Sequence, residues 1–177
     1  MPEPSDYLEE VGLLIKSLEG IGVKPILVGG MALVILGSRR VTRDFDFVIS
    51  RPDEKLDQVV SAFYERGLEL AARLDKGGDV TATIDNPRVA AIRLRLDNPS
   101  SACFYHPKTG LRVDLLFDFP LAAKKLALHA RKIKVRSHPF RMASEDDLIR
   151  LKKIAKSRRT SAGDAEDLAF LKARRKR

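Results

Sequence analysis

The segment Val28–Phe47, with the sequence VGGMALVILGSRRVTRDFDF, carries the strongest structural signal in the chain. An apolar run over 25–28 leads into it and predicts a buried strand. The glycine pair Gly29-Gly30 then turns the chain, and 31–36 has the composition of a short helix. A second strand is predicted over 42–49. The segment therefore predicts a strand, a glycine turn, a helix and a second strand in that order.

Two carboxylates fall within the second of these strands. Asp44 and Asp46 are two residues apart, so both point to one face of the sheet, while Phe45 and Phe47 point to the other face and into a core. Two carboxylates about 4 Å apart repel by about 4 kcal/mol at an effective dielectric of about 20. A cation, a shared proton or solvent must offset this repulsion. Oxygen ligands without a nearby Cys or His suit a hard ion, Mg²⁺ or Mn²⁺.

A third carboxylate, Asp114, lies in a strand predicted over 111–117, which forms a hairpin with a strand over 102–106. By alternation Asp114 shares a face with Arg112 and Asp118. A charge in mid-strand is costly without a partner. Three acidic side chains on neighbouring strands would form a two-metal site, of the kind that clamps the attacking and leaving oxygens of a phosphoryl displacement.

The glycine pair predicts a phosphate site next to these carboxylates. A strand followed by Gly29-Gly30 and a helix start exposes backbone N–H groups at the positive end of a helix. Arg39, Arg40 and Arg43 add positive charge beside the carboxylates. Metal on one side and N–H groups on the other would suit a nucleoside triphosphate.

The rest of the chain predicts an α+β fold, with a mixed sheet flanked by helices and a small helical region at the C-terminal end. Further helices are predicted over 6–18, 52–66, 120–129, 144–156 and 164–174. Further strands are predicted over 68–73, 79–84, 90–96, 131–135 and 140–142, with 90–96 half exposed because Ile92, Leu94 and Leu96 alternate with arginines.

Composition excludes several classes of protein. The chain has 177 residues and one cysteine, so a domain held together by internal disulfides and a zinc site built on cysteine pairs are both excluded. The polar, acidic start is unlike a signal peptide, and the longest uncharged run is shorter than the roughly 20 apolar residues of a membrane span. We therefore expect a cytoplasmic protein with no membrane partner.

Charge is distributed unevenly and suggests two regions. The net charge is +9 overall, −3 over residues 1–120 and +12 over residues 121–177. We predict a catalytic core over 1–120 and a basic, mainly helical region over 121–177. The last six residues, 172–177, contain five cations that could bind nucleic-acid phosphates or only favour the end of a helix.

The glycine and aspartate motifs resemble those of a known superfamily. Gly29-Gly30-x-Ala32 followed by Gly37-x-x-Arg40-x-Thr42-x-Asp44-Phe45-Asp46 is similar to the DNA polymerase β-type nucleotidyltransferase signature, in the small bacterial and archaeal form close to the AbiEii toxins. The resemblance implies that Asp44, Asp46 and Asp114 are catalytic metal ligands, with Asp114 as the third carboxylate. It implies phosphate contacts from Gly29 and Gly30, and we assign Arg40, Thr42 and Arg43 to nucleotide binding with them.

The C-terminal part resembles the same group. Glu145-Asp146-Asp147-Leu148-Ile149 and the later Asp164-x-x-Asp167-Leu168 are similar to its ending, from which toxin-like relatives add a Lys and an Asp to the active site. Lys152 and Asp164 are the matching residues, and Lys153 and Asp167 are the alternatives.

Together these features predict a metal-dependent nucleotidyltransferase. It would move a nucleoside monophosphate from an NTP to an acceptor hydroxyl and release pyrophosphate, with tRNA as the acceptor of a toxin-like enzyme whose neutralising antitoxin is a separate protein. A protein side chain or a small molecule such as an antibiotic is another acceptor that fits. Two alternatives remain open: a non-catalytic module that retains the fold to bind nucleotide or nucleic acid, and a nucleic-acid-binding protein in which the basic ending is primary.

Overall fold

The structure is a computed structural model that describes residues 4–158 and 162–176. Arg177, the last cation of the basic ending, lies outside these residues. The helices are α1 (Pro4–Gly20), α2 (Gly29–Ile35), α3 (Leu56–Tyr64), α4 (Pro87–Asp97), α5 (Ala123–Ala127), α6 (Glu145–Arg158) and α7 (Ala162–Arg175), with one 3-10 turn at Asp53–Lys55. The strands are β1 (Ile26–Val28), β2 (Asp44–Ile49), β3 (Glu69–Leu74), β4 (Val80–Ile84), β5 (Ser101–Tyr105), β6 (Arg112–Phe117), β7 (Arg131–Val135) and β8 (His138–Met142).

All eight strands form one mixed sheet in the order β4-β3-β5-β6-β2-β1-β8-β7. The β2–β6 and β1–β8 pairs are parallel and the other neighbours are antiparallel. This arrangement confirms the predicted α+β class with a mixed sheet. It also places β2, which contains the carboxylate pair, directly between β1 and β6.

One face of β2 and β6 packs against the hydrophobic core, and alternate residues of both strands are buried there, with Phe45 and Val113 both 0% exposed. The core also reaches the other face toward the carboxyl end of β2, where Val48 is buried, and all three residues of β1 are buried. Helix α3 adds Phe63, whose ring stacks on that of Phe104 at a centroid distance of 4.0 Å. The opposite face of β2 and β6 is free to carry polar side chains because this core anchors the strands from behind.

The segment 90–96, predicted as a strand, belongs to helix α4, so that prediction is wrong. Asn86 begins the helix: its side-chain oxygen accepts hydrogen bonds from the backbone N–H groups of Arg88 at 2.9 Å and Val89 at 3.3 Å. Pro87 follows as the first helical residue, where its missing N–H costs nothing. An N-cap followed by proline is a helix start that outweighs a short alternating pattern.

The burial pattern of α4 is helical as well. Ala90, Ala91 and Leu94 are buried, whereas Ile92 is 56% and Leu96 is 79% exposed. The predicted apolar strand face of 92, 94 and 96 is therefore split between the core and the surface.

Two smaller differences lie near the end of β6. The helix predicted over 120–129 is shorter and comprises only α5, beyond a cis Phe119–Pro120 bond. Asp118, which alternation placed on the face of Asp114, leaves the strand with φ = +51°. Its carboxylate accepts hydrogen bonds from the backbone N–H of Arg51 at 3.1 Å and of Ala123 at 2.9 Å, so it supports α5 instead.

The predicted domain boundary at residue 120 falls between β6 and α5 and stays a prediction. The sheet continues across it, because β8 pairs with β1 through Leu27 and Met142. Within the described residues, no helix combines the length and apolar composition needed to cross a membrane.

Candidate active site

The three predicted carboxylates meet on the polar face of β2 and β6. The parallel register sets Asp46 directly opposite Asp114 and Asp44 opposite Arg112. Opposite residues on adjacent strands share a face and lie about 5 Å apart. The alternation that buries Phe45 and Phe47 therefore brings the side chains of Asp44, Asp46 and Asp114 together, as predicted.

The surroundings of Asp46 disfavour its negative charge. Burial, together with the charge of Asp114 and a hydrogen bond to it, raises the pKa of Asp46 to about 7. Burial and the charge of Asp114 also raise the pKa of Asp44, although the guanidinium of Arg112 opposes the shift. Burial, more than the neighbouring charges, therefore disfavours the ionised form of both carboxyls.

Arg112 and Cys103 surround Asp114 on its outer side. The Nε atom of Arg112 lies 3.3 and 3.2 Å from the two carboxylate oxygens of Asp114, and its Nη1 donates to the carbonyl of Gly78 at 2.8 Å. Cys103 is paired with Asp114 across β5 and β6, and burial and this carboxylate raise the pKa of its thiol to about 12. Cys103 is therefore a neutral thiol at the side of the site.

The donor set fits a hard divalent cation in its chemistry. Asp44, Asp46 and Asp114 offer oxygen ligands only, and the raised pKa values of Asp44 and Asp46 are what a bound cation would lower. In the part of the chain that the structure describes, no three acidic, His or Cys side chains are already arranged as a metal-ligand set. The Arg112 guanidinium occupies the oxygens of Asp114 in this arrangement.

The glycine pair lies against these carboxylates. Gly29 has φ = +73°, and a Cβ at this position would overlap with Oδ2 of Asp46. A Cβ on Gly30 would lie 3.1 Å from the guanidinium carbon of Arg40 and 3.4 Å from Cγ2 of Thr42. Because both glycines begin α2, their backbone N–H groups have no intrahelical acceptor. The structure thus brings Gly29, Gly30, Arg40 and Thr42 together beside Asp46.

Helices α6 and α7 complete this side of the site through a buried ionic network. Lys152 is 8% exposed, and its Nζ lies 3.4 Å from Asp164 and 2.8 Å from Asp167. Asp167 also pairs with Arg40, which links α7 to the loop before β2. Of the alternatives left open, Lys152 faces the site and Lys153 is exposed, while both Asp164 and Asp167 are buried against Lys152.

A cavity of about 420 Å³ connects these groups. Its polar and glycine lining consists of Gly29, Gly30, Arg40, Asp46 and Lys152. The remaining lining residues are apolar, and we call them the apolar wall: Val28, Leu116, Phe119, Pro120, Leu148, Leu151, Ile154 and Ala155. Groups that can hold phosphates and apolar side chains that can hold a base therefore meet in one cavity, as they do in a nucleotide pocket.

Arg43 lies apart from this cavity. It lines a separate cavity of about 590 Å³ together with Asp44, Tyr105, Lys108 and Arg112. Another cavity, of about 480 Å³, opens beside Cys103 and is lined by both Asp46 and Asp114. The carboxylates therefore border three cavities, and the predicted nucleotide-binding residue Arg43 belongs to a different one from Arg40.

The apolar wall was not anticipated from the sequence. Leu116 shares the polar face of β6 with Asp114 by alternation, so its position could have been predicted. Phe119 and Pro120 enter the site through the turn after β6, and no local pattern signals that turn. The role of Arg112 as the partner of Asp114 follows from their spacing of two in one strand.

Comparison with known proteins identifies the fold. No protein-family model matches the chain, and no curated protein compared with it matches either. Among solved structures, a nucleotidyltransferase-like protein from Paracoccidioides brasiliensis is 15% identical, with a TM-score of 0.62 over 94% of this chain and 76% of its own. The lincosamide antibiotic adenylyltransferase LnuA is 12% identical, with a TM-score of 0.58 over 93% and 95% of the two chains. The antibiotic-resistance factor ANT(2'')-Ia is 9% identical, with a TM-score of 0.59 over 96% and 84%. At these identities the likeness shows the fold alone, and the chain has the fold of the nucleotidyltransferases.

Proposed function

We propose that this protein is a metal-dependent nucleotidyltransferase that moves a nucleoside monophosphate from an NTP to an acceptor hydroxyl and releases pyrophosphate. The observation that supports it most strongly is the register of β2 and β6, which sets Asp46 opposite Asp114 and directly against Gly29. Carboxylates that lie beside helix-start N–H groups without an intrahelical acceptor form a site that can hold a cation and a polyphosphate together.

Each group in the cavity has a role in this proposal. The N–H groups of Gly29 and Gly30 bind the outer phosphates, and Arg40 and Lys152 add positive charge on the same side. The apolar wall of Leu116, Phe119 and the α6 side chains holds the base. Asp44, Asp46 and Asp114 would hold Mg²⁺ or Mn²⁺, which would neutralise the triphosphate and lower the pKa of the acceptor hydroxyl.

Positioning of these groups would supply most of the rate enhancement. Phosphoryl transfer requires an aligned nucleophile and leaving group, and the protein contributes orientation and fixed charge. Asp164 and Asp167 hold the Lys152 ammonium in place through ion pairs at 3.4 and 2.8 Å. Arg40 is positioned in the same way by Asp167.

The acceptor in this proposal is tRNA, in a toxin-like reaction in the cytoplasm that a separate antitoxin protein would neutralise. The support is the resemblance of the motifs to AbiEii-type toxins and the excess of 12 positive charges over residues 121–177. LnuA, the lincosamide adenylyltransferase of the same fold, favours a small-molecule acceptor as the second candidate.

Transfer assays test the reaction class. The full chain is incubated with Mg²⁺ and each of the four α-labelled NTPs, with tRNA, with lincomycin, or without acceptor. We expect label on an acceptor and release of pyrophosphate, both lost in Asp44→Ala and retained in the control Asp57→Asn, whose exposed carboxylate pairs with Arg95 away from the site. Transfer by Asp44→Ala at the wild-type rate would show that the carboxylates are not the metal ligands.

The same assay addresses the non-catalytic alternative. NTP binding without pyrophosphate release toward any acceptor would favour a module that keeps the fold for binding. The three carboxylates on one face of β2 and β6, with Lys152 in the cavity that Asp46 lines, favour the enzyme.

A further inference from the structure

A strongly basic region lies away from the carboxylates. Residues 119–144 contain seven Lys and Arg residues and no Asp or Glu. They form α5 and the β7–β8 hairpin at one edge of the sheet. From the sequence, the ending 172–177 was the candidate for polyanion binding, but acidic residues at the start of α6 neutralise part of it. Arg174 pairs with Glu145 at 2.7 Å and Arg175 with Asp146 at 3.2 Å.

A cavity of about 540 Å³ opens where this region meets the N-terminal end of β1 and the C-terminal end of β2. Five cations line it: Lys24, Arg51, Lys55, Lys124 and Arg141. None of the five forms an ion pair with any carboxylate that the structure describes, although Asp53 and Glu54 line the same cavity. Arg51 instead donates to the side-chain oxygen of Asn98 at 2.7 Å.

The pairing of β7 with β8 gives a second, independent indication of an anionic ligand. Lys132 lies directly opposite Arg141, which lines the cavity, so two cations share one face of the hairpin. Like charges placed opposite each other on adjacent strands destabilise the pair unless a counter-charge lies nearby. No carboxylate occurs within residues 119–144 to supply that counter-charge.

We propose that this cavity, which we name the basic cavity after Lys24, Arg51, Lys55, Lys124 and Arg141, binds the phosphodiester backbone of a nucleic-acid strand. Cations without ion-pair partners on several separate elements match a ligand whose phosphates are regularly spaced. Binding of such a ligand is strengthened because it releases the counterions condensed on the nucleic acid. The site is concave, so a narrow nucleic-acid strand fits it better than the flat surface of a bilayer does. It lies about 15 Å from Asp46 along β2, at about 3.3 Å per residue, so it is a separate contact from the nucleotide pocket.

The test is the salt dependence of RNA binding, measured without NTP and Mg²⁺ so that catalysis does not enter. Fluorescence anisotropy with a labelled single-stranded RNA gives the slope of log affinity against log salt for the full chain. The triple variant Lys55→Ala, Lys124→Ala, Arg141→Ala removes three cavity cations, and we expect the slope to fall by about 2, since each phosphate contact to a single strand contributes about 0.7.

Three controls make the result decisive. The matched triple variant Lys172→Ala, Arg175→Ala, Lys176→Ala removes the same charge from the ending, and its slope should stay at the wild-type value. The charge-conserving Lys124→Arg should also keep the wild-type slope, and circular dichroism checks that each variant is folded. The measurement requires no nucleotide transfer, so failure of the proposed reaction and failure of this proposal are distinguishable.

Several outcomes would overturn the proposal. These are the absence of RNA binding by the wild-type chain, an unchanged slope in the folded cavity variant, and an equal or larger fall in the variant of the ending. Binding to phosphatidylserine vesicles without binding to RNA would assign the basic cavity to a membrane surface instead.

Discussion

Asp46 lies between Gly29 and Asp114, and its environment disfavours the charged carboxylate. A buried acid beside two others destabilises the folded chain whenever it is ionised, so the proposed site costs stability in the absence of a cation. Sites of this kind are expected where a ligand supplies the missing charge. The stability of the metal-free protein therefore tests the site without any acceptor.

The pKa of about 7 at Asp46 predicts how stability depends on pH. Below about pH 4 the carboxyl is protonated in both the folded and the unfolded chain, so it does not change the free energy of unfolding with pH. From there to about pH 7 only the unfolded chain releases the proton, so the free energy of unfolding falls as pH rises, and above that range the loss is complete.

Asp46→Asn should remove this loss. In EDTA near pH 8, we expect the variant to melt several degrees above wild type, with the difference vanishing near pH 4. Mg²⁺ should raise the melting temperature of wild type and leave that of the variant unchanged. Thermal unfolding followed by circular dichroism gives both comparisons. A variant that melts below wild type near pH 8 would show that Asp46 stabilises the fold when it is charged.

Gly29 should tolerate no side chain, for two separate reasons. Its φ of +73° costs an L-residue about 1–2 kcal/mol, and a Cβ would overlap with the Asp46 carboxylate. We predict that Gly29→Ala loses both stability and NTP binding. Gly37→Ala is the matched control, since it has a φ of +107° but nothing within 4 Å of the added Cβ. It should lose about 1–2 kcal/mol of stability and keep NTP binding. Equal NTP affinity in the two variants would contradict the placement of Gly29 against Asp46.

Helix α4 shows where the sequence pattern was insufficient. Its apolar residues alternate over a short stretch, which a strand and a helix can share, and the Asn86 cap followed by Pro87 selects the helix, which packs against α3. By contrast, the strands around Phe45 and Val113 were predicted correctly, because their alternating residues include aromatic and β-branched types that favour strands and no such helix start precedes them. The common face of the three carboxylates could be predicted from that alternation. The positions of Phe119 and of the Asp167–Arg40 pair could not, because they depend on contacts between elements that are distant in the sequence.

Two leucines distinguish the helical from the strand-like arrangement of 90–96. Leu94 is 7% exposed and Leu96 is 79% exposed, so Leu94→Ala should cost about 2–4 kcal/mol and Leu96→Ala almost nothing. A strand with both side chains on one face would give them similar costs. Urea unfolding of the two variants gives the comparison, and equal losses would contradict the helix.

Helix α7 supports the proposed nucleotide pocket from outside. Asp167 bonds both Lys152 and Arg40, and Arg174 donates to the carbonyl of Leu36 at 3.1 Å, so α7 holds the loop that leads into β2. We predict that Asp167→Asn raises KM for NTP and lowers stability by about 2 kcal/mol, because charged hydrogen bonds to two cations are lost. The neighbouring exposed Glu166→Gln is the control.

Steady-state kinetics and urea unfolding measure these two effects. An Asp167→Asn enzyme with the wild-type KM for NTP would show that Arg40 and Lys152 reach the nucleotide without help from α7.

Across the whole molecule, charge is separated along the sheet. The carboxylates and the nucleotide pocket lie at one end of β2, and the basic cavity lies at the other, toward the acid-free segment 119–144. The division of charge between 1–120 and 121–177 was evident in the sequence, but the position of the unpaired cations was not. Only the fold brings Lys24 and Lys55 of the first region next to Lys124 and Arg141 of the second.

The most direct test of the central claim is the affinity for NTP with and without Mg²⁺, measured by isothermal titration calorimetry on wild type and Asp46→Asn. Non-hydrolysable analogues of the four NTPs make the measurement independent of the acceptor. We predict that wild type binds at least one analogue more tightly with Mg²⁺ than in EDTA, and that Asp46→Asn shows no such gain. Equal wild-type affinity with and without Mg²⁺, or a full gain in Asp46→Asn, would contradict the assignment of the carboxylates to a metal-bound triphosphate.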